Sequence, residues 1–227
     1  MKPKGFAVDV DGTLTEDGRI DFKAMELLRW LADSGFKVIL VSGRSVWELL
    51  TLASLGGLTK LVVAENGGVV ALSPTKLVML ADKYEVLKGY DYLSERIEGV
   101  RLRETFPRLT ELVLERTFDL SLGNRLLEEA GFELKLRDSN YAYHLESSKV
   151  DKGKGLLKAL KHLGADGEEF VAIGDSDTDV EMFEVCGRSV AMENGTEGAK
   201  RAADYVAKGR GAAGLKDAVE WVLRLGA

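Results

Sequence analysis

Asp9 and Asp11 stand one residue apart in Asp9-Val10-Asp11-Gly12-Thr13-Leu14, directly behind the apolar run Phe6-Ala7-Val8. Such a run reads as a buried strand that delivers both acids at its C-terminal end, where open α/β sheets place their chemistry. In an extended chain the two carboxylates lie on the same side, and Gly12 then lets the backbone turn sharply. Two acids aimed into one site repel each other unless a cation or partner offsets them. The pair is therefore either an acidic surface turn or the centre of a metal and phosphate site. A second cluster, Gly174-Asp175-Ser176-Asp177-Thr178-Asp179, follows another apolar run, Phe170-Val171-Ala172-Ile173. Asp175 and Asp179 face one site if a helix starts near Ser176 or Asp177, whereas Asp177 reads as a helix-start residue that caps backbone N–H groups. Oxygen donors in this number, with no His or Cys beside them, suit a hard cation. Mg²⁺ is favoured because it accepts few carboxylates and leaves room for water and phosphate.

Two further segments extend this chemistry to an anion. Ser42-Gly43-Arg44 ends a second apolar run where a helix should begin, so a hydroxyl and free N–H groups point toward the strand ends. A cation at Lys152 would balance the carboxylates and the incoming phosphoryl oxygens, with Lys154 as its competitor.

The elements that must position these residues alternate over the first third of the chain. Ala24, Leu27, Leu28 and Leu31 mark a helix over 21–34, Lys37-Val38-Ile39-Leu40-Val41 a strand, Val46, Leu49, Leu50 and Ala53 a helix, and Leu61-Val62-Val63-Ala64 a third strand. A different order follows from about Tyr84 to Val150. It reads as a helix carrying Val86, Tyr90, Leu93 and Ile97, strands around Leu109 to Glu115, a helix over 120–130, and strands over 132–136 and 141–145 joined by Asp138-Ser139-Asn140. The parallel pattern resumes with a helix over 152–163 and short strands at Phe170, Ser189 and Asp204. A last helix carries Leu215, Ala218, Val219 and Val222. The expected fold is α/β: a doubly wound, Rossmann-like parallel-sheet core over 1–81 and 151–227 holding an inserted α+β layer over 82–150.

Composition narrows the classes further. A chain of 227 residues with 45% hydrophobic and 30% charged content can bury one α/β core and a smaller insert. No apolar stretch nears membrane-spanning length, and Met1-Lys2-Pro3-Lys4 leads into a strand without a signal-peptide core, so a cytoplasmic protein with no membrane partner is expected. A net charge of −6 without a basic block argues against nucleic acid. The one cysteine, Cys186, excludes an internal disulfide and reads as a small hydrophobe. A homodimer is left open.

In order and spacing the four segments resemble the haloacid dehalogenase superfamily, whose pattern is Asp-x-Asp-Gly-Thr, Ser/Thr, Lys, then Gly-Asp-x-x-x-Asp. The long insert resembles a type II cap. Within that subgroup Ser42-Gly43-Arg44, Glu65-Asn66-Gly67-Gly68 and Ala191-Met192-Glu193-Asn194 look like those of archaeal phosphoglycolate phosphatases. The Lys-Gly-x-Gly-Leu context matches Lys152 to the motif lysine. Thr178 departs from the pattern, which commonly has Asn there.

The resemblance implies an Mg²⁺-dependent phosphatase acting on a small phosphorylated metabolite, with 2-phosphoglycolate leading. Asp9 would be the nucleophile that forms an aspartyl-phosphate, and Asp11 the general acid and then base. The metal would be held by Asp9, the Asp11 backbone carbonyl, Asp175 and Asp179. Ser42, Gly43 and Lys152 would bind the phosphoryl group, with Asn66 and Asn194 nearby. Tyr141, Tyr143, His144, Arg103 and Arg116 are candidates for meeting a small carboxylate. A sugar-phosphate phosphatase or phosphomutase on the same scaffold, and a non-catalytic phosphometabolite sensor, remain as alternatives.

Overall fold

The computed structural model describes residues 3–225; Met1, Lys2, Gly226 and Ala227, which the expected core includes, lie outside the described residues. The buried run Gly5–Val8 forms β1, and the chain then turns through a short hairpin, β2 (Thr15–Glu16) and β3 (Arg19–Ile20). Asp21 caps α1 (Phe22–Asp33) by accepting from the N–H groups of Lys23 and Ala24. Then come β4 (Lys37–Val41), α2 (Val46–Gly56) and β5 (Val62–Ala64). The hairpin β6 (Val69–Ser73) and β7 (Lys76–Met79) follows, a pair the alternation reading did not anticipate. Its strands carry neither strict alternation nor a crossover helix, and they add to the sheet edge in antiparallel fashion.

Between β7 and the next core helix the chain builds a second layer. It contains α3 (Lys83–Ser94), β8 (Leu112–Leu114), α4 (Leu120–Glu129), β9 (Leu134–Asp138) and β10 (Tyr143–Ser147), with the strands ordered β8-β10-β9. Where the sequence suggested several strands around Leu109 to Glu115, only β8 forms, bridged to Leu102. Pro107 lacks a donor, and the N–H groups of Leu109 and Thr110 go to the Glu65 carboxylate of the core instead of to a strand. Val86, Leu93, Leu114, Leu127 and Leu145 give this layer its own apolar core.

The core resumes with α5 (Lys152–Leu163), β11 (Phe170–Gly174), α6 (Val180–Phe183), β12 (Arg188–Ala191), α7 (Glu197–Ala202), β13 (Tyr205–Val206) and α8 (Gly211–Leu225). The eight-stranded sheet runs β13-β12-β11-β1-β4-β5-β6-β7, parallel throughout except for its last two strands. Phe6 and Val8 join the apolar layer that includes Met25, Leu28 and Leu215, while Ala7 joins the one that includes Leu156 and Leu160 of α5. Strand alternation then puts Asp9 on the α5 side. Among the described residues no helix is long and apolar enough to cross a membrane.

The turn Glu65-Asn66-Gly67 ties the two layers together. Its φ angles of 51°, 51° and 94° are all left-handed, costing roughly 1–3 kcal/mol at a non-glycine residue. A side chain at Gly67 would lie 1.9 Å from the carbonyl of Asp151, so the turn is wedged against the start of α5. Buried Glu65 accepts from Leu109 N, Thr110 N and the Thr110 hydroxyl at 2.7–3.0 Å. Glu65→Ala strands those donors and should cost about 2–3 kcal/mol. Urea unfolding beside exposed Glu95→Ala checks this, since the surface change should stay within about 0.5 kcal/mol.

Candidate active site

Asp9 leaves β1 on the face that α5 covers, and α5 opens with Lys152, behind its N-cap Asp151. The register Val8↔Ile173 carries Asp9 beside the end of β11, where Asp175 begins the second acidic turn. Lys152 Nζ donates to Asp9 Oδ1 at 2.7 Å and to Asp179 Oδ1 at 2.6 Å, with all three residues buried. Asp179 Oδ2 accepts from the N–H groups of Asp175 and Ser176 and from the Ser176 hydroxyl.

Burial opposes the Lys152 charge, but Asp179 and Asp9 outweigh it and hold its pKa above the ordinary lysine range. Asp9 is pushed well up, chiefly by burial, with Asp179 and Asp175 adding to the rise and Lys152 opposing it. Burial and Asp179 push Asp175 up to about 7. One buried ammonium thus serves a group of three carboxylates.

Asp9, Asp175 and Asp179 each offer an oxygen within 4.8 Å of the others, and Asp175 Oδ1 is buried without a hydrogen-bond partner. This orphaned oxygen in an all-carboxylate set with surplus negative charge fits a hard divalent cation. Gly12 closes the site from the β1 side. Its φ is +84°, and a Cβ there would sit 2.1 Å from Asp175 Oδ2, so both backbone and space require glycine. Asn194 Nδ2 donates to the Gly12 carbonyl at 2.9 Å and lies 3.4 Å from Asp175 Oδ2.

The structure does not bring the Asp11 carboxylate into this cluster. The Val10 carbonyl accepts from Leu14 and Thr15, closing a tight turn, and the half-exposed Asp11 side chain is held by Arg44 at 2.7 and 2.9 Å. Arg44 also pairs with Glu48. Ser42 is buried, with its Oγ accepting from Arg44 N at 3.2 Å, and a Cβ on Gly43 would meet Asn66 Oδ1 at 2.9 Å. The register Val8↔Leu40 leads the Asp9 and Ser42 turns off the sheet side by side. Lys154 lies apart, pairing with Asp151. Asp177 accepts from the Thr196 hydroxyl, while Ser176 takes the N-cap position that the sequence suggested for Asp177. The Ser176 and Thr178 hydroxyls bond each other at 2.8 Å, which gives Thr178 a polar partner. Burial pushes the Cys186 thiol up to about 12, so it serves as apolar filling.

From the insert, Arg103 pairs with Glu115 and stacks on exposed Tyr141, while Arg116 pairs with Asp138 and lies over Tyr143. These contacts keep the four residues within the insert. His144 is buried within the insert, its Nδ1 3.2 Å from the Glu111 carboxylate and its Nε2 3.2 Å from the Ser139 hydroxyl. The sequence reading missed Arg108, Lys83, Glu111 and Glu146 here, though it named Asn66. Arg108 Nη1 donates to Glu111 Oε1 and to the Gly43 carbonyl, Lys83 donates to the Glu111 carbonyl, and Asn66 Nδ2 donates to Glu146 Oε2 at 2.8 Å. Arg108 lies in an irregular stretch, so no periodicity marked it; its i,i+3 spacing to Glu111 was the available hint.

A family model for haloacid dehalogenase-like hydrolases matches residues 6–102 and 123–219. The chain is 40% identical over 222 residues to a phosphoglycolate phosphatase of Nitrosopumilus maritimus, covering 97% of this chain and 96% of that one. It is 36% identical over 224 residues to a phosphoglycolate phosphatase of Methanosarcina acetivorans, covering 98% and 97%. A solved Thermoplasma acidophilum protein shares the fold with a TM-score of 0.87 at 24% identity, over 98% of this chain and 99% of that one.

His144 supplies a pH test of the insert. Burial lowers its pKa, but Glu111, aided by Glu146, outweighs this and raises it overall against opposition from Arg108. A raised folded-state pKa means that the stabilisation is full below the unfolded value of about 6.5 and is lost as pH rises through the folded value. The stability advantage of the wild type over His144→Gln should therefore shrink as pH rises above about 6.5. Urea midpoints taken across that range check it, and an advantage independent of pH would contradict it.

Proposed function

The chain belongs to the haloacid dehalogenase-like hydrolase family, and on that premise we propose that this phosphatase converts 2-phosphoglycolate to glycolate and inorganic phosphate, with Mg²⁺ at the Asp9, Asp175 and Asp179 cluster. The observation carrying the reading is Lys152, buried between Asp9 and Asp179 beside an orphaned Asp175 oxygen. The substrate is supported by relatives of nearly equal length that carry that activity in their names. Bound Mg²⁺ would offset the carboxylates and the phosphoryl charge. Asp179, whose Oδ2 already accepts three hydrogen bonds, would hold it directly or through water, and the Asp11 backbone carbonyl would complete the protein's donor set.

In the reaction the free oxygen of Asp9 attacks phosphorus in line as the phosphorus–ester oxygen bond breaks. Asp11, once it has left Arg44 and taken up a proton, gives that proton to the departing alkoxide, which takes the bond's electron pair. Asp11, now a carboxylate, takes a proton from water as that water attacks the phosphoryl group, and cleavage of the phosphorus–Asp9 bond restores the carboxylate. Lys152 holds Asp9 in place and balances the phosphoryl oxygens, while Ser42 Oγ and the Gly43 N–H cradle them. The insert acts as a cap whose seat on the Ser42 turn excludes water.

Phosphate release from a panel of phosphorylated metabolites should be strongest with 2-phosphoglycolate, require Mg²⁺ and stop in EDTA. Asp9→Asn should abolish it, and Asp11→Asn should slow it by about 10²–10⁴-fold. Preferred turnover of a sugar phosphate, or transfer of phosphate to a sugar hydroxyl, would replace this substrate reading. Unchanged activity in Asp9→Asn would remove the covalent step.

A further inference from the structure

Resting on the phosphoglycolate reading, we propose that Arg108 is the specificity-determining residue that binds the substrate carboxylate. A two-carbon acid is short, so the group that recognises its carboxylate must stand almost against the phosphoryl cradle. Arg108 meets that condition, because Nη1 donates to the carbonyl of Gly43, the residue after Ser42. Arg103 and Arg116 also pair with acids of the insert, and Arg103 Nε is likewise unpartnered, but their other side-chain contacts are to Tyr141, Asn140 and Tyr143 of the insert.

The Arg108 side chain is 9% exposed, and its Nε is buried without a partner. An orphaned guanidinium donor is costly to bury, and a carboxylate presents oxygens that fit it in a planar, two-point arrangement. The surrounding charge favours the same ligand. Glu65 already accepts from Leu109 and Thr110, so the acid that pairs with Arg108 is Glu111. Glu111 faces both Arg108 and His144, so its single carboxylate is divided between two partners. Arg137, the other insert arginine directed to the core side, already donates to Glu146, which in turn holds Asn66. Arg108 is thus the insert cation with both an unmet donor and direct contact with the Ser42 turn.

The test compares kcat/KM for 2-phosphoglycolate and 2-hydroxyethyl phosphate, which differ by a carboxylate against a hydroxymethyl group. Wild type, Arg108→Lys, Arg108→Met and the control Arg116→Ala are each measured on both compounds. The acid-over-alcohol ratio should fall about 10–100-fold in Arg108→Met, fall less in Arg108→Lys, and stay at the wild-type value in Arg116→Ala. Because each ratio is taken within one preparation, partial unfolding cancels from it, and Arg108→Lys carries the test if Arg108→Met does not fold. An unchanged ratio with both rates lowered would overturn the proposal and leave Arg108 as a brace for the Gly43 turn. A wild-type enzyme indifferent to the carboxylate would overturn the substrate reading itself, and is visible before any variant is made.

Discussion

Lys152, buried between Asp9 and Asp179, is the interaction on which the site depends. Its ammonium meets carboxylates from two different strand ends at 2.7 and 2.6 Å, so β1, β11 and the first residue of α5 must converge. Removing water from such ions is expensive, and a buried pair is tolerated only when geometry and further hydrogen bonds offset that cost. Here Asp179 is satisfied by three additional donors, while Asp175 keeps an unpartnered oxygen. The cluster is therefore satisfied on one side and short of positive charge on the other. That asymmetry creates a place for a cation and a phosphoryl group.

The same constraint extends into the insert. Gly67 packs against the carbonyl of Asp151, the residue that caps α5, so the left-handed turn over residues 65–67 helps to fix where Lys152 starts. Glu65 receives Leu109 and Thr110 from the insert, and Asn66 donates to Glu146. Backbone strain at this turn is offset by hydrogen bonds to the layer above it. Arrangement of the cluster and seating of the insert are consequently coupled through three consecutive residues.

Much of this arrangement was legible from local pattern. Strand periodicity placed Asp9 and Asp175 at strand ends, and the bounds of α5 matched the apolar spacing from Lys152 to Leu163. Lys152 could be separated from Lys154 only by its resemblance context, since both lie in one helical turn and burial alone distinguishes them. Pattern failed where tertiary contacts overrode it. Asp9 and Asp11 share a side in an extended chain, but the turn at Val10 sends Asp11 to Arg44. The strands expected near Leu109 are lost because Glu65, more than forty residues away, takes their N–H groups. Arg108 was missed for the same reason, having no periodic neighbours beyond its i,i+3 spacing to Glu111 and a distant partner at Gly43.

The central claim is that Asp9, held by Lys152, is the group that becomes phosphorylated. Asp11→Asn, which should impair hydrolysis of the intermediate, can be mixed with 2-phosphoglycolate and Mg²⁺, quenched in acid and mapped by peptide mass spectrometry. The account predicts a phosphoryl increment on the peptide containing Asp9, absent when Asp9 is also changed to Asn. An increment on another residue, or none while phosphate is still released, would contradict it.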